Sequence, residues 1–116
     1  MRRTSGLILV CLLVIGWCVS CGTGNAKEER STKDKAISKC VDLCKEAKDK
    51  GQDLSNGPCL SDDNPKWDVA NWVCDVAHWP RQSVDNKPEN QCKEFRLGNA
   101  SHFVEVDPSC EFIRAM

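Results

Sequence analysis

The stretch that decides the fold is STKDKAISKCVDLCKEAKDKG, residues Ser31 to Gly51. Its apolar side chains recur every three or four positions with charged side chains between them, which predicts an amphipathic helix with one buried face. Ser31 can cap the first turn, and Gly51 suits a left-handed stop. The buried face consists of Ala36, Ile37, Cys40, Val41, Leu43, Cys44 and Ala47.

Two cysteines of this face, Cys40 and Cys44, are one helical turn apart. On a regular helix their Cβ atoms are roughly 6 Å apart, whereas a disulfide needs about 3.5–4.5 Å, so each must bond to another segment. Excluding this pair leaves twelve of the fifteen pairings that six cysteines allow. A metal site is the rival interpretation, but the predicted globular domain has no Cys-x-x-Cys and no closely spaced histidine pair. The remaining cysteines of the domain are Cys59, Cys74, Cys92 and Cys110.

The first twenty residues are typical of an export signal, with two arginines followed by a 13-residue apolar core from Leu7 to Val19. Cleavage after Ser20 exposes Cys21 before Gly-Thr-Gly, which resembles the lipobox of prokaryotic lipoproteins, although Cys18 stands where leucine is usual. We therefore predict a signal peptide over 1–20, a lipid-attachment cysteine with a polar tether over 21–32, and a globular domain over 33–116. A secreted soluble protein and an uncleaved anchor are the alternatives.

Charge excludes one class of function. Removal of residues 1–21, which carry Arg2 and Arg3 but no acidic residue, leaves 14 basic and 17 acidic side chains, a net charge of −3. Nucleic-acid binding depends on clustered positive charge, which this composition does not supply. We expect no nucleic-acid partner, a membrane contact through the lipid anchor, and no cofactor.

Two further segments predict a sheet. The apolar stretch around Trp72–His78 fits either a helix or a strand, and we favour the strand because tryptophan and valine are enriched in strands. Its expected partner is His102–Asp107, which alternates in the same way. Between them, Pro88–Leu97 is predicted as a short helix with Cys92 and Phe95 facing inward. The predicted class is α+β, a small disulfide-rich single domain with the two-cysteine helix packed on a short antiparallel sheet.

Four runs of the chain carry a resemblance: LSNGPCL at Leu54–Leu60, WVCDVAH at Trp72–His78, ENQC at Glu89–Cys92 and HFVEVD at His102–Asp107. Together they resemble a family of small, exported, cysteine-rich archaeal (lipo)proteins with no known activity. The resemblance covers roughly residues 36–113. It implies an extracytoplasmic location and a single cysteine-rich domain, and nothing about chemistry.

One candidate constellation for chemistry consists of Asp75, His78 and His102. A histidine oriented by a carboxylate can bind a metal or act as a base. In a strand, Asp75 and His78 point to opposite faces, whereas His78 and His102 share a face if the two strands pair. This constellation supports the alternative function, a metal-binding or metal-dependent hydrolytic protein.

The leading functional hypothesis is a non-enzymatic binding module for a protein or carbohydrate ligand. Tryptophan on a small surface can stack on sugars or anchor a partner, and arginine can lie over an aromatic ring. We expect contacts in the Gln52–Lys66 loop and on a surface formed by Trp79, Arg81, Asp85 and Asn86. Asn99-Ala100-Ser101 is a glycosylation sequon that suits an exposed loop.

Overall fold

The computed structural model describes Gly16 and residues 24–116. The predicted cleavage site and Cys21 lie outside the described residues. Helix α1 is followed by strand β1, short helix α2 and strands β2 and β3, with two 3-10 turns between β1 and α2. Their bounds are α1 Gly24–Asp49, β1 Trp72–Val76, the turns Ser83–Asn86 and Pro88–Asn90, α2 Lys93–Arg96, β2 His102–Val106 and β3 Phe112–Ala115.

Helix α1 confirms the predicted central helix but begins earlier. It starts at Gly24, about two turns before Ser31, so Ser31 does not cap it. Glutamate, lysine and arginine around position 29 are good helix formers, and extending an existing helix adds one hydrogen bond per residue. Side chains 25–31 are all solvent-exposed. The described part of the predicted tether is therefore an exposed helical extension.

The helix ends as the sequence predicts. Gly51 adopts the left-handed conformation, with φ of 79°. Its N–H donates to the carbonyl of Lys48 at 2.9 Å, and the N–H of Gln52 donates to the carbonyl of Ala47 at 3.0 Å. These two bonds form a Schellman motif, which satisfies carbonyls that the helix leaves unpaired. None of the described helices is long and apolar enough to cross a membrane.

The three strands form one sheet in the order β1-β2-β3. Strands β1 and β2 are parallel and in register from Trp72 opposite His102 to Val76 opposite Val106. The prediction that these segments pair is confirmed, but the predicted antiparallel pairing is wrong. A parallel pair needs a crossover of a dozen or more residues, and residues 77–101 provide it. The antiparallel pair is β2 with β3, a strand that the sequence analysis did not predict.

The predicted helix over Pro88–Leu97 is wrong in its extent. Gln91 and Cys92 have extended backbones, so the chain makes a 3-10 turn, straightens, and then forms the short α2. Cys92 is buried as expected. Phe95 is 41% exposed and does not enter the core.

The two faces of the sheet have different partners. The face formed by alternate residues of β1 and β2 packs on α1 and makes the main core. The opposite face carries Val73, which packs with Cys92 and Ala100 in a smaller cluster. The main core contains Trp72, Cys74, Val76, Val104 and Val106 of the sheet and Ala36, Cys40, Cys44 and Ala47 of α1.

Three disulfides hold this arrangement, which confirms that the six cysteines pair. Cys40 bonds to Cys74 of β1, Cys44 to Cys110 before β3, and Cys59 to Cys92 before α2. Their sequence separations are 34, 66 and 33 residues, so each stabilises the fold by roughly 4 kcal/mol in the chain-entropy account. Disulfides persist in oxidising compartments, which indicates an extracytoplasmic environment.

Two left-handed glycines give a matched test of the packing. A Cβ on Gly57 would lie 2.7 Å from Asp85 Oδ1 and 2.8 Å from the Val76 carbonyl oxygen, whereas a Cβ on Gly51 meets nothing within 4 Å. Gly51→Ala should cost about 1–2 kcal/mol of unfolding free energy for its backbone alone. Gly57→Ala should cost about 2–5 kcal/mol because steric overlap is added. Urea denaturation of the two oxidised variants measures the difference, and equal losses would contradict it.

Candidate functional site

The face of the sheet that α1 does not cover forms the floor of a cavity of about 350 Å³. Three arginines from three segments line it: Arg81 after β1, Arg96 of α2 and Arg114 of β3. We call this cavity the arginine pocket. Its volume lies at the lower end of the range for small-molecule sites.

The floor of the arginine pocket has an apolar end and an acidic end. Val73 lies opposite Phe103 in the register of β1 and β2, and Asp75 lies opposite Glu105 two positions further on. Side chains two positions apart on a strand share a face, so all four line the pocket. The parallel register therefore places an apolar pair and a carboxyl pair side by side.

Glu105 is 7% exposed and is neutralised by two of the arginines. Arg114 donates from Nε at 3.0 Å and from Nη2 at 3.3 Å, and Arg81 donates from Nη1 at 3.2 Å. The hydrogen bond to Glu105 also raises the pKa of Arg114. A buried carboxylate requires such partners, because leaving a charge unpaired in the interior is costly.

Asp75 is the opposite case. It is 9% exposed, and its Oδ1 has no hydrogen-bond partner in the described part of the chain. Burial raises the pKa of Asp75 to about 8, reinforced by the charge of Glu105 and opposed by that of Arg81. At pH 7 the side chain is therefore mostly a neutral carboxylic acid, which can both donate and accept a hydrogen bond.

These charges give the pocket an excess of positive charge. Three arginines face one ionised glutamate and one neutral aspartic acid, so the net charge of the lining near pH 7 is about +2. The whole chain has a formal net charge of −1. Arg96 makes no side-chain hydrogen bond or ion pair with any described residue, so its guanidinium is free for a ligand.

Two of the arginines are held in place by neighbouring groups. Arg81 also donates from Nε to Asn86 Oδ1 at 2.8 Å and from Nη2 to the carbonyl of Asp85 at 3.3 Å. The guanidinium of Arg114 lies 5.3 Å from the ring centroid of Phe103, at cation–π distance. Phe95 meets the same ring edge-on, with centroids 5.2 Å apart. The aromatic wall and the cationic wall are thus in contact.

Three of the four residues predicted to form a binding surface, Trp79, Arg81 and Asn86, are exposed. Trp79 is 75% exposed, and Arg81 and Asn86 are hydrogen-bonded to each other at the surface. Asp85, at 2% exposure, is not a surface residue. It accepts the N–H groups of His78 and Gln82 at 3.0 and 2.9 Å, so it organises the loop.

Asp85 also contacts the His78 ring, at 2.9 Å between Oδ1 and Nδ1. Burial alone would raise the pKa of Asp85, but the hydrogen bonds from Gln82 and His78 outweigh it and hold that pKa below its usual range. His78 and Asp85 therefore form a structural pair beneath the loop.

The structure does not bring Asp75, His78 and His102 together. His102 lies at the start of β2 and stacks on Trp72, with ring centroids 4.6 Å apart. His78 follows the far end of β1, about 20 Å away along parallel strands, and Asp75 lies on the opposite face. The one described cluster with metal-ligand spacing is Cys59, Asp62 and Cys92, and its two cysteines are joined in a disulfide.

The Gln52–Lys66 loop lies against the end of α1 and lines a second cavity of about 440 Å³. Part of its charged lining is paired, since Glu46 accepts from Lys66 and, at 2.8 Å, from Lys50. These two contacts lower the pKa of Glu46 to about 2. Asp62 also lines this cavity, and its Oδ1 has no hydrogen-bond partner among the described residues. With Lys50 and Lys66 against Glu46, Asp62 and Asp63, the lining has a formal net charge of −1, so this cavity suits an anion less than the arginine pocket does.

Sequence reasoning named Arg81 and Asp75 but missed Arg96, Arg114, Phe103 and Glu105 as members of one site. One signal was present: in His102–Asp107, Glu105 alternates with valines on a strand that must be largely buried.

No protein-family model, curated protein or solved structure matches this chain.

The neutral Asp75 predicts an unusual dependence of stability on pH. Between about pH 4 and pH 8 the unfolded chain releases a proton that folded Asp75 keeps, so stability falls as pH rises through this window. Asp75→Asn should remove this penalty and stabilise the fold by up to about 4 kcal/mol at pH 7, with little gain near pH 4. Urea denaturation at both pH values, with exposed Asp42→Asn as control, measures it. Equal stability of wild type and Asp75→Asn at pH 7 would mean that Asp75 ionises normally.

Proposed function

We propose that this chain is an extracytoplasmic binding module, anchored to a membrane by lipid on Cys21, that takes an anionic ligand in the arginine pocket. The observation that carries the proposal is the surplus of two guanidinium charges around a cavity lined by Asp75, whose buried Oδ1 has no partner in the described part of the chain. Guanidinium groups bind carboxylates and phosphates through paired N–H donors, and Arg96 has all of its donors available.

A purely structural role does not explain why the pocket has three arginines. One arginine would neutralise Glu105, yet Arg81 and Arg114 both contact it and Arg96 adds a third charge. Repulsion among like charges in a small cavity is unfavourable unless something offsets it. A bound anion would offset it, and would also face the free N–H groups that the three arginines retain.

The chemistry of the pocket favours binding over catalysis. Both oxygens of Glu105 are occupied by arginines, which makes it a weak base or nucleophile. The sulfur of Cys92, which also lines the pocket, is in a disulfide. The hydrolytic alternative required His78 and His102 together, and their separation removes its support.

A larger ligand has room beside the pocket. Arg114 also lines a neighbouring cleft of about 350 Å³ with Trp79 and Phe112, both exposed aromatic residues. Exposed aromatic side chains beside an arginine are typical of sites that contact a partner protein. This supports the predicted contribution of Trp79 and leaves room for a peptide as well as a small molecule.

The proposed anchor follows from the sequence around Cys21 and fits the helical extension. From Gly24 to Lys35, α1 carries no buried side chain among residues 25–35, and this stretch is about 18 Å long. It would hold the domain away from the membrane surface.

Lipidation predicts a simple release experiment. Cys21→Ser should remove the acylation site, so the protein should move from the membrane fraction to the soluble extracytoplasmic fraction. Cys18→Ser is the matched control and should stay with the membrane. Intact mass of the wild-type protein should show a lipid increment, and an unmodified mass beginning at Cys21 would contradict lipidation.

Anion binding predicts a specific loss in Arg96→Gln. Titration of the oxidised protein with hydrocinnamate, phenyl phosphate and benzenesulfonate, followed by NMR shifts, should show saturable binding of at least one probe. Arg96→Gln should weaken it about tenfold, as expected for losing one charged hydrogen bond. Arg30→Gln, on the exposed part of α1, should bind as wild type does. If no probe binds, or if both variants behave alike, the proposed function fails.

A further inference from the structure

We infer that the ligand of the arginine pocket is an apolar carboxylate, and that the carboxyl group of Asp75 is the hydrogen-bond donor that holds its head. This inference rests on the function proposed above and names the ligand class. It follows from the two ends of the floor, the missing partner of Asp75, and the charges around it.

The floor specifies a ligand with an apolar end close to a polar end. Val73 and Phe103 form the apolar end, and Asp75 and Glu105 follow two positions along the same strands. Two strand positions span about 6.6 Å, so the ligand must place its apolar group and its head within roughly that distance of each other. Phe95, edge-on to Phe103, supplies the wall for a flat apolar group.

The carboxyl group of Asp75 marks where the head binds. Buried polar atoms almost always have a hydrogen-bond partner, yet Oδ1 has none among the described residues. Oδ1 itself is fully buried, but the side chain of Asp75 lines the cavity, so a group inside the cavity can meet its carboxyl group. A neutral carboxyl donates one hydrogen bond, and the natural partner beside arginines is an anionic oxygen.

The donors left at the polar end of the pocket favour a carboxylate. Arg81 and Arg114 already donate to Glu105, so the two oxygens of a carboxylate can be met by Asp75 and one free guanidinium N–H, whereas the third oxygen of a phosphate or sulfonate finds fewer donors. A carboxylate has one charge and two coplanar oxygens. One can accept from Asp75 while the other accepts from a free N–H of Arg96 or Arg114, which matches the planar guanidinium geometry.

Binding should therefore depend on the protonation of Asp75. The groups that face it are Glu105 of β2, Arg81 and Asp85 of the loop after β1, Arg114 of β3 and Arg96 of α2. Glu105 and Asp85 disfavour its ionisation, and Arg81 favours it. A ligand carboxylate adds negative charge, so it binds to protonated Asp75 and is repelled by the ionised form.

Two sources offer this chemistry, a free small carboxylic acid and the C-terminal carboxylate of a peptide that ends in an apolar residue. The two are separated by comparing hydrocinnamate with an acetylated Ala-Ala-Phe peptide, each alongside its neutral amide. Tighter binding of the peptide would indicate contacts that continue past the pocket towards Trp79, whereas equal binding would indicate a small molecule. In both cases the amide should bind at least tenfold more weakly.

The decisive experiment measures hydrocinnamate affinity at about pH 7 and about pH 9 with wild type, Asp75→Asn and Asp75→Val. The affinity of the wild-type protein should fall about tenfold from the lower to the higher pH, because the protonated fraction of a group with pKa near 8 falls by that factor. Asp75→Asn keeps a donor without titrating, so it should bind equally at both. Asp75→Val should bind at least tenfold more weakly at pH 7. Asp42→Asn should behave as wild type does.

Each outcome has a defined meaning. The inference is overturned if Asp75→Val keeps wild-type affinity, or if Asp75→Asn shows the same pH dependence as wild type. Binding of phenyl phosphate or benzenesulfonate that depends on Arg96, without carboxylate binding, would overturn it and leave the proposed function standing. If no probe binds, both the inference and the proposed function are contradicted. Urea denaturation of each variant identifies any loss that is due to unfolding.

Discussion

The fold depends on the attachment of α1 to one face of the sheet through two disulfides a single helical turn apart. Cys40 fixes the helix to β1, and Cys44 fixes it to the segment that leads into β3. Both sulfur pairs lie in the main core, so the helix has one orientation over the strands. Because covalent bonds supply much of the stability of this small domain, the second face of the sheet need not be a hydrophobic core.

The second face carries the polar chemistry, and the parallel register of β1 and β2 determines what meets there. In register, Asp75 and Glu105 become neighbours on adjacent strands, and one site cannot readily hold two ionised carboxyl groups. The surroundings of the two carboxyl groups differ, and so does their protonation. Glu105 accepts hydrogen bonds from Arg81 and Arg114, whereas burial and the charge of Glu105 raise the pKa of Asp75 to about 8. Glu105 therefore holds two arginines in place, and protonated Asp75 can donate a hydrogen bond.

Sequence reasoning located the elements better than their assembly. The periodicity of residues 31–51 and the alternation in Trp72–Val76 are local properties, and both were read correctly. The parallel pairing and strand β3 depend on the path of residues 77–101 and on the Cys44–Cys110 bond, which no local pattern encodes. The arginine pocket combines side chains from five segments, so only the assembled fold reveals it. Asp85 was misjudged because its loop is polar, yet its carboxylate turns inward to backbone N–H groups.

A buried aspartic acid whose Oδ1 has no partner among the described residues is costly in a domain of this size, so its chemistry can be weighed against that of other side chains at the same position. Asparagine at position 75 would have nearly the same shape. It would not ionise in the unfolded chain, so the fold would not lose stability as the pH rises. An apolar side chain would extend the Val73 cluster across the floor of the pocket. A carboxyl group differs from both in being a donor that disappears when it ionises. A site built on that donor couples the binding of an anion to proton concentration, because an ionised Asp75 neither donates to the anion nor tolerates its charge.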